Sequence, residues 1–148
     1  MKRVLDTSAA IEVALNRDGM PRLRAMLEES SEVLAPELLL AEAVNALWKE
    51  HRYGGLSLAT CDEALELLPH LVHTWVPLQA LHREAFALSR SAGLPAYDMF
   101  YLALAMRDNH DDTSLARAHA DLLATRPTAV NLRWALDRMR TLLRRTPL

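Results

Sequence analysis

Short apolar strands alternating with amphipathic helices predict an α/β fold, with a small parallel sheet sandwiched between helices in an α/β/α arrangement. Val4-Leu5, Val33-Leu34-Ala35 and Thr74-Trp75-Val76 are short, apolar and suited to a pleated surface. The stretches between them repeat apolar residues at helical spacing and are too long for hairpin loops, so the strands are expected to run parallel. Asp6 directly follows the first apolar run. In open parallel sheets, ligands gather beyond the carboxyl ends of the strands.

The elements follow in order. Residues 3–6 read as a strand and 8–15 as a helix. Arg17-Asp18-Gly19 marks a turn, and Pro21 opens a second helix to about Glu29. After the strand at 33–35, Pro36 is expected to start the long helix ELLLAEAVNALWKEHR, closed by Gly54-Gly55. Ser57 is the expected cap of the next helix, where Leu58, Cys61, Leu65 and Leu68 make one apolar face and Pro69 ends it. The strand at 74–76 precedes an amphipathic helix from Leu81 to Ala92, with Gly93 at its C-terminus. Residues 97–108 form a helix apolar almost all round, hence one expected to be buried. Beyond it, TSLA and TAVNL read as strands and AHADLLA as a short helix. Residues 131–146 read as a basic amphipathic helix capped by Asn131. Trp48 and Trp75 are expected in the core.

The chain of 148 residues is expected to form one domain, 1–148, long enough to bury a proper core. Its 51% hydrophobic and 24% charged residues are ordinary for a soluble globular protein. A formal charge of −2 gives no global basic field, though a local basic patch stays open. The single cysteine, Cys61, excludes an intramolecular disulfide and fits a reducing, cytoplasmic setting. The N-terminus runs into Val4 and Leu5 with no signal-peptide apolar region. No apolar stretch approaches bilayer length, so no membrane partner is expected. The six histidines have no zinc-type spacing.

Asp6, Glu42 and Asp98 stand out because each sits among apolar residues. Asp6 follows a buried strand, where losing hydration is costly for a carboxylate. Helix capping is one role open to it, and Thr7 and Ser8 could cap equally well. Between Pro36 and Trp48 the polar side chains are Glu37, Glu42 and Asn45. Glu37 suits the positive end of a helix. Glu42 lies mid-helix and shares a face with Asn45, a face that either meets solvent or carries a site. Asp98 precedes two apolar turns, where capping is again an alternative. Together, three such carboxylates would repel unless a cation neutralised them. An oxygen-only set suits a hard ion, Mg²⁺ or Mn²⁺. Such an ion can activate water and stabilise charge on a phosphodiester, which points to metal-assisted phosphodiester hydrolysis.

VLDTSAAIEVAL, APELLLAEAVNALW and AYDMFYLALAMR, in this order and spacing, resemble the PIN-domain family, with likeness to VapC-type ribonuclease toxins of toxin–antitoxin pairs. The likeness spans roughly residues 3–110. It implies a Mg²⁺- or Mn²⁺-dependent endoribonuclease, often a homodimer, blocked by a cognate antitoxin whose tail enters the active-site groove. Asp6, Glu42 and Asp98 match the family's strand, long-helix and late-helix acids. Ser8 matches the small polar residue beside the metal, and Asn45 the helix amide near the site. The likeness weakens at DDTSLARAHADLLA. There His119 falls nearest the fourth acid, one residue out of step, and Asp121 matches the second Asp of the family's short-helix pattern. His119, Asp121 or Asp112 could complete the site, which could equally run on three acids, or these residues could belong to a surface loop.

An RNA substrate calls for cationic positioning. LRWALDRMRTLLRR offers Arg133, Arg138, Arg140, Arg144 and Arg145, with Arg138, Arg144 and Arg145 the RNA candidates. The alternatives for this stretch are a solvated amphipathic helix or a docking surface for an antitoxin or second subunit. Arg22 and Arg24 are weaker candidates. Two other readings compete with a toxin ribonuclease. One is a non-catalytic or impaired PIN-like module for RNA or partner binding. The other is a phosphotransfer protein using Asp6. It is disfavoured by having only Lys2 and Lys49 for the lysine and no second Asp beside Asp6.

Overall fold

The computed structural model describes residues 1–16 and 21–108. Three parallel strands, β1 (Lys2–Val4), β2 (Glu32–Pro36) and β3 (Thr74–Val76), lie in the order β1-β2-β3. The register pairs Val4 with Leu34 and Leu34 with Thr74. Helices α1 (Thr7–Ala14) and α2 (Pro21–Glu28) connect β1 to β2. Helices α3 (Leu38–Gly54) and α4 (Leu58–Leu67), with a 3₁₀ turn at Leu68–Leu71, connect β2 to β3. Helices α5 (Leu78–Ala92) and α6 (Ala96–Asp108) follow. This is the α/β/α arrangement expected from the alternation.

The period-two alternation of β2 divides the core. Val33 and Ala35 point to one face, packing with Leu5, Ile11, Leu39, Ala43, Leu47, Cys61 and Leu68 of α1, α3 and α4 and the segments flanking them. Leu34 points to the other face, where it meets Leu81, Ala103 and Leu104 of α5 and α6. Val4 and Val76 join Leu34, while Trp75 packs on the opposite face. At the start of the sheet, Glu32 joins Lys2 at 3.1 Å and accepts from Thr74 at 2.7 Å, so one side chain links all three strands. The Thr74 hydroxyl, then Lys2, hold the Glu32 carboxyl below its ordinary range. His73 extends the β2–β3 pairing: its N–H donates to Val33 O at 2.8 Å, and its Nδ1 accepts from Val33 N at 2.9 Å.

Several boundaries differ from expectation. β1 ends at Val4, leaving Asp6 as the cap of α1. Pro36 closes β2 instead of opening α3, because it pairs with Val76 and the next N–H, of Glu37, donates to Val76 O at 3.0 Å. α5 begins at Leu78, directly after Pro77, whose fixed φ suits a helix start. Ser57 does cap α4, accepting from Thr60 N at 3.1 Å, and Gly55 and Gly93 end α3 and α5 in the left-handed conformation.

Some packing expectations also change. The buried stripe of α4 runs through Cys61, Ala64 and Leu68, so Leu65 falls on its rim and Leu58 lies exposed at the helix start. Trp48 is 53% exposed, not core. The inward row of α3 is Leu39, Ala43 and Leu47, and the adjacent row, Leu40, Val44 and Trp48, faces outward. Trp48 meets the edge of Tyr53 instead, with ring centroids 5.9 Å apart. α6 is buried on one side, through Met99, Ala103 and Leu104, while Tyr97 is exposed. No helix of the described residues is long and apolar enough to cross a membrane. The turn at Arg17-Asp18-Gly19, the strands TSLA and TAVNL, the helix AHADLLA and the basic helix at 131–146 lie outside the described residues.

Leu39 is fully buried between the sheet and α3. Leu39→Ala is expected to lower stability by about 2–5 kcal/mol, through lost burial and the cavity left behind. Urea unfolding checks this as a fall in midpoint at unchanged slope.

Candidate active site

The carboxyl end of the sheet is where the three singled-out acids are built. The last ladder bond of β1 is Leu5 N to Leu34 O at 2.9 Å. The next residue, Asp6, turns the chain into α1 with extended backbone angles, φ −89° and ψ 164°. Its Oδ1 accepts from Ala9 N at 2.7 Å, so the capping role is real. A carboxylate has lone pairs on two oxygens, and one helix cap occupies only part of that capacity. Capping and ligation are compatible here. Ser8 lies exposed in the first turn of α1.

Glu42 sits in the second turn of α3, half-buried. Its Oε2 accepts from Thr7 Oγ1 at 2.6 Å and from Tyr101 OH at 2.6 Å. The two hydroxyl oxygens are themselves 2.7 Å apart. Glu42 therefore does not simply face solvent: α1 and α6 both reach it. Asn45, three residues on, is exposed.

Asp98 lies in the first turn of α6 and keeps an exposed edge. Partial loss of hydration is the main cause pushing its carboxyl above the ordinary range, and the charges of Glu42 and Asp6 add to it. Tyr101, one turn further along the same face, has its phenol raised first by burial and then by its hydrogen bond to Glu42. The structure therefore brings Asp6, Glu42 and Asp98 into one electrostatic neighbourhood, from three separate elements.

The donor set is all oxygen, which suits a hard cation. The acids do not form a closed cage: among the described residues, no three His, Cys, Asp or Glu side chains are grouped closely enough to hold an ion. Mg²⁺ does not require such a cage, because it keeps several waters and takes one or two carboxylates. His119, Asp121 and Asp112 lie outside the described residues, as do Arg138, Arg144 and Arg145. Arg22 and Arg24 are exposed, and Arg24 donates to Val13 O at 3.2 Å.

Thr7 and Tyr101 were not singled out by sequence as partners of Glu42. Thr7 competes with its neighbours as a cap, and Tyr101 reads as core. The available signal was spacing: Tyr101 follows Asp98 by three residues and so shares its helix face.

The raised Asp98 carboxyl makes a pH prediction. The folded state holds this proton more tightly than the unfolded chain, so stability falls as pH rises from the ordinary aspartate range through the raised one. Asp98→Asn removes that slope. In EDTA the variant should melt above the wild type at pH 7, by about 2–4 °C for each kcal/mol relieved. The gain should vanish below the ordinary aspartate range, which thermal scans across pH will show.

Comparison with known proteins places this chain in a family. A segment of the methylthioribose-1-phosphate isomerase of Methylorubrum populi is 63% identical over 46 residues, covering 31% of this chain and 13% of that protein. The isomerase of the same name from Dechloromonas aromatica is 46% identical over 82 residues, 52% of this chain and 22% of that protein. An uncharacterized protein in the petC 3′ region of Rhodospirillum rubrum is 58% identical over 38 residues, 26% of this chain and 21% of that protein. The chain thus spans less than a quarter of the length of these curated relatives. The family match is far broader: the PIN domain covers residues 3–126, from before Asp6 to beyond Asp98. PIN domains are generally nucleases and typically use divalent metals. With that match and this parallel sheet, the chain belongs to the PIN domain family, a nuclease-type fold.

Proposed function

We propose that this protein is a Mg²⁺- or Mn²⁺-dependent endoribonuclease acting as the toxin of a toxin–antitoxin pair. The observation that carries the reading is the gathering of Asp6, Glu42 and Asp98 beyond the carboxyl end of the sheet: Thr7, next to Asp6, and Tyr101, one turn from Asp98, both reach Glu42. Asp6, Glu42 and Asp98, directly or through water, would hold the ion, which supplies an activated water and stabilises charge on the phosphodiester.

The chain's own residues prepare that site. Asp6 is fixed at the sheet edge by the helix cap it makes. Glu42 is fixed by two hydroxyls. Asp98 contributes charge from the opposite layer. Their mutual repulsion is relieved when a cation is present, so the site favours cations over water alone. Ser8 and Asn45, both exposed near these acids in sequence, are proposed to lie at its rim. The remaining roles rest on the family likeness: RNA as substrate, guided by Arg138, Arg144 and Arg145, with a cognate antitoxin and a second copy of the chain as partners. The outward row Leu40, Val44 and Trp48, on the helix that carries Glu42, supports a protein partner on this side.

A non-catalytic PIN module for RNA or partner binding is the second reading. It is favoured by the absence, among the described residues, of a three-residue group tight enough to hold a metal.

Cleavage of total RNA in Mg²⁺ or Mn²⁺, after stripping any bound antitoxin, separates the two. Asp6→Asn, Glu42→Gln and Asp98→Asn are each expected to cut the rate more than about 100-fold, beyond what loss of a supporting residue costs. His119→Ala and Asp121→Ala should cost less, since water can replace an outer ligand. A wild type inert in both metals makes the non-catalytic module the better reading. Wild-type activity in Asp98→Asn moves the chemistry elsewhere.

A further inference from the structure

Glu42 is held in an unusual way. Thr7 Oγ1 and Tyr101 OH both donate to Oε2, each at 2.6 Å, and among the described residues every hydrogen bond to this carboxylate converges on that oxygen. The hydroxyl oxygens lie 2.7 Å from each other. The two hydroxyls have two protons between them for three short contacts. With both protons directed at the carboxylate, the contact between the hydroxyls has none of its own.

Such O–H···O⁻ bonds are among the strong ones. Two on one oxygen fix both the rotamer and the plane of a side chain that is otherwise free to rotate. Packing alone does not require the Tyr101 hydroxyl. The ring is half-buried against the core shared by α1 and α3, where a phenylalanine ring would fit the same space without a polar group to satisfy.

We propose that Tyr101 and Thr7 are positioning residues that grip Glu42 by one oxygen and hold the other, with its share of the charge, ready beside Asp6 and Asp98. Neither hydroxyl touches the ion or the RNA. This rests on the reading that the three acids bind a divalent cation. It adds that the geometry of Glu42 is set by hydroxyls from α1 and α6, not by α3 itself. Removing either hydroxyl leaves Glu42 present but mobile, so cation affinity falls while the fold stays intact.

The test is Mn²⁺ titration of the metal-free full chain by calorimetry, paired with melting of the same samples in EDTA. Tyr101→Phe and Thr7→Val are each expected to weaken Mn²⁺ binding roughly 10- to 100-fold, the usual cost of losing a group that orients a metal ligand. Thr7→Ser, which keeps the hydroxyl, should restore most of what Thr7→Val loses. The double variant should lose less than the product of the two single losses, because either change alone releases the same carboxylate. Melting within a few degrees of wild type shows that the variants fold, and Thr7→Val tests the idea even if Tyr101→Phe does not. Unchanged affinity in the folded hydroxyl variants, with binding lost in Glu42→Gln, overturns the positioning role and leaves the metal site standing. A wild type that binds no Mn²⁺, or a Glu42→Gln variant that binds as wild type does, overturns both.

Discussion

One carboxylate oxygen joins three helices that lie far apart in the sequence. Glu42 belongs to α3, and its two hydroxyl partners come from α1 and α6, 35 residues before and 59 residues after it. α1 and α3 share one face of the sheet, whereas α6 packs mainly on the other. α6 can serve both sides because successive helical residues turn by about 100°. Phe100 goes to the core around Leu34, and Tyr101 goes to the core around Leu39. The junction of the two layers lies at the edge where β1 ends and Asp6 begins. Candidate site and layer junction are therefore the same place.

This arrangement sets stability against the gathering of like charges. A fold seeking only stability would not crowd Asp98 with Glu42 and Asp6, since each charge opposes the next. The rest of the structure tolerates this because both cores are apolar: no polar or charged side chain is fully buried in them among the described residues. The electrostatic cost is confined to the end of the sheet. Elsewhere, acids are matched with cations, as in Lys2–Glu32 and Arg107–Glu84. That contrast separates carboxylates serving the fold from those gathered at its edge.

Most of the architecture was legible because hydrophobic periodicity is a local signal. The strands at 33–35 and 74–76, the cap at Ser57 and the glycines closing α3 and α5 could all be placed from neighbouring residues. Errors arose where a distant partner decides. Pro36 resembles a helix start until its pairing with Val76 is known. Trp48 resembles core because tryptophan usually buries, yet it is one position round the helix from Leu47. The acids of the site were legible as charges in apolar company. Thr7 and Tyr101 were not, because a hydroxyl is ordinary in either setting, and its meaning lies in a partner 35 or 59 residues away.

That separation has a consequence for the growing polypeptide. At about 5–20 residues per second, the 59 residues between Glu42 and Tyr101 take roughly 3–12 seconds to synthesise. Until α6 leaves the ribosome, the nascent chain carries Asp6 and Glu42 but neither Asp98 nor the tyrosine that grips Glu42. A ribosome stalled short of α6 holds two of the three acids and no tyrosine to grip Glu42. The gathering of the three acids is thus timed by chain elongation, and the helix translated last among the described elements brings in the third.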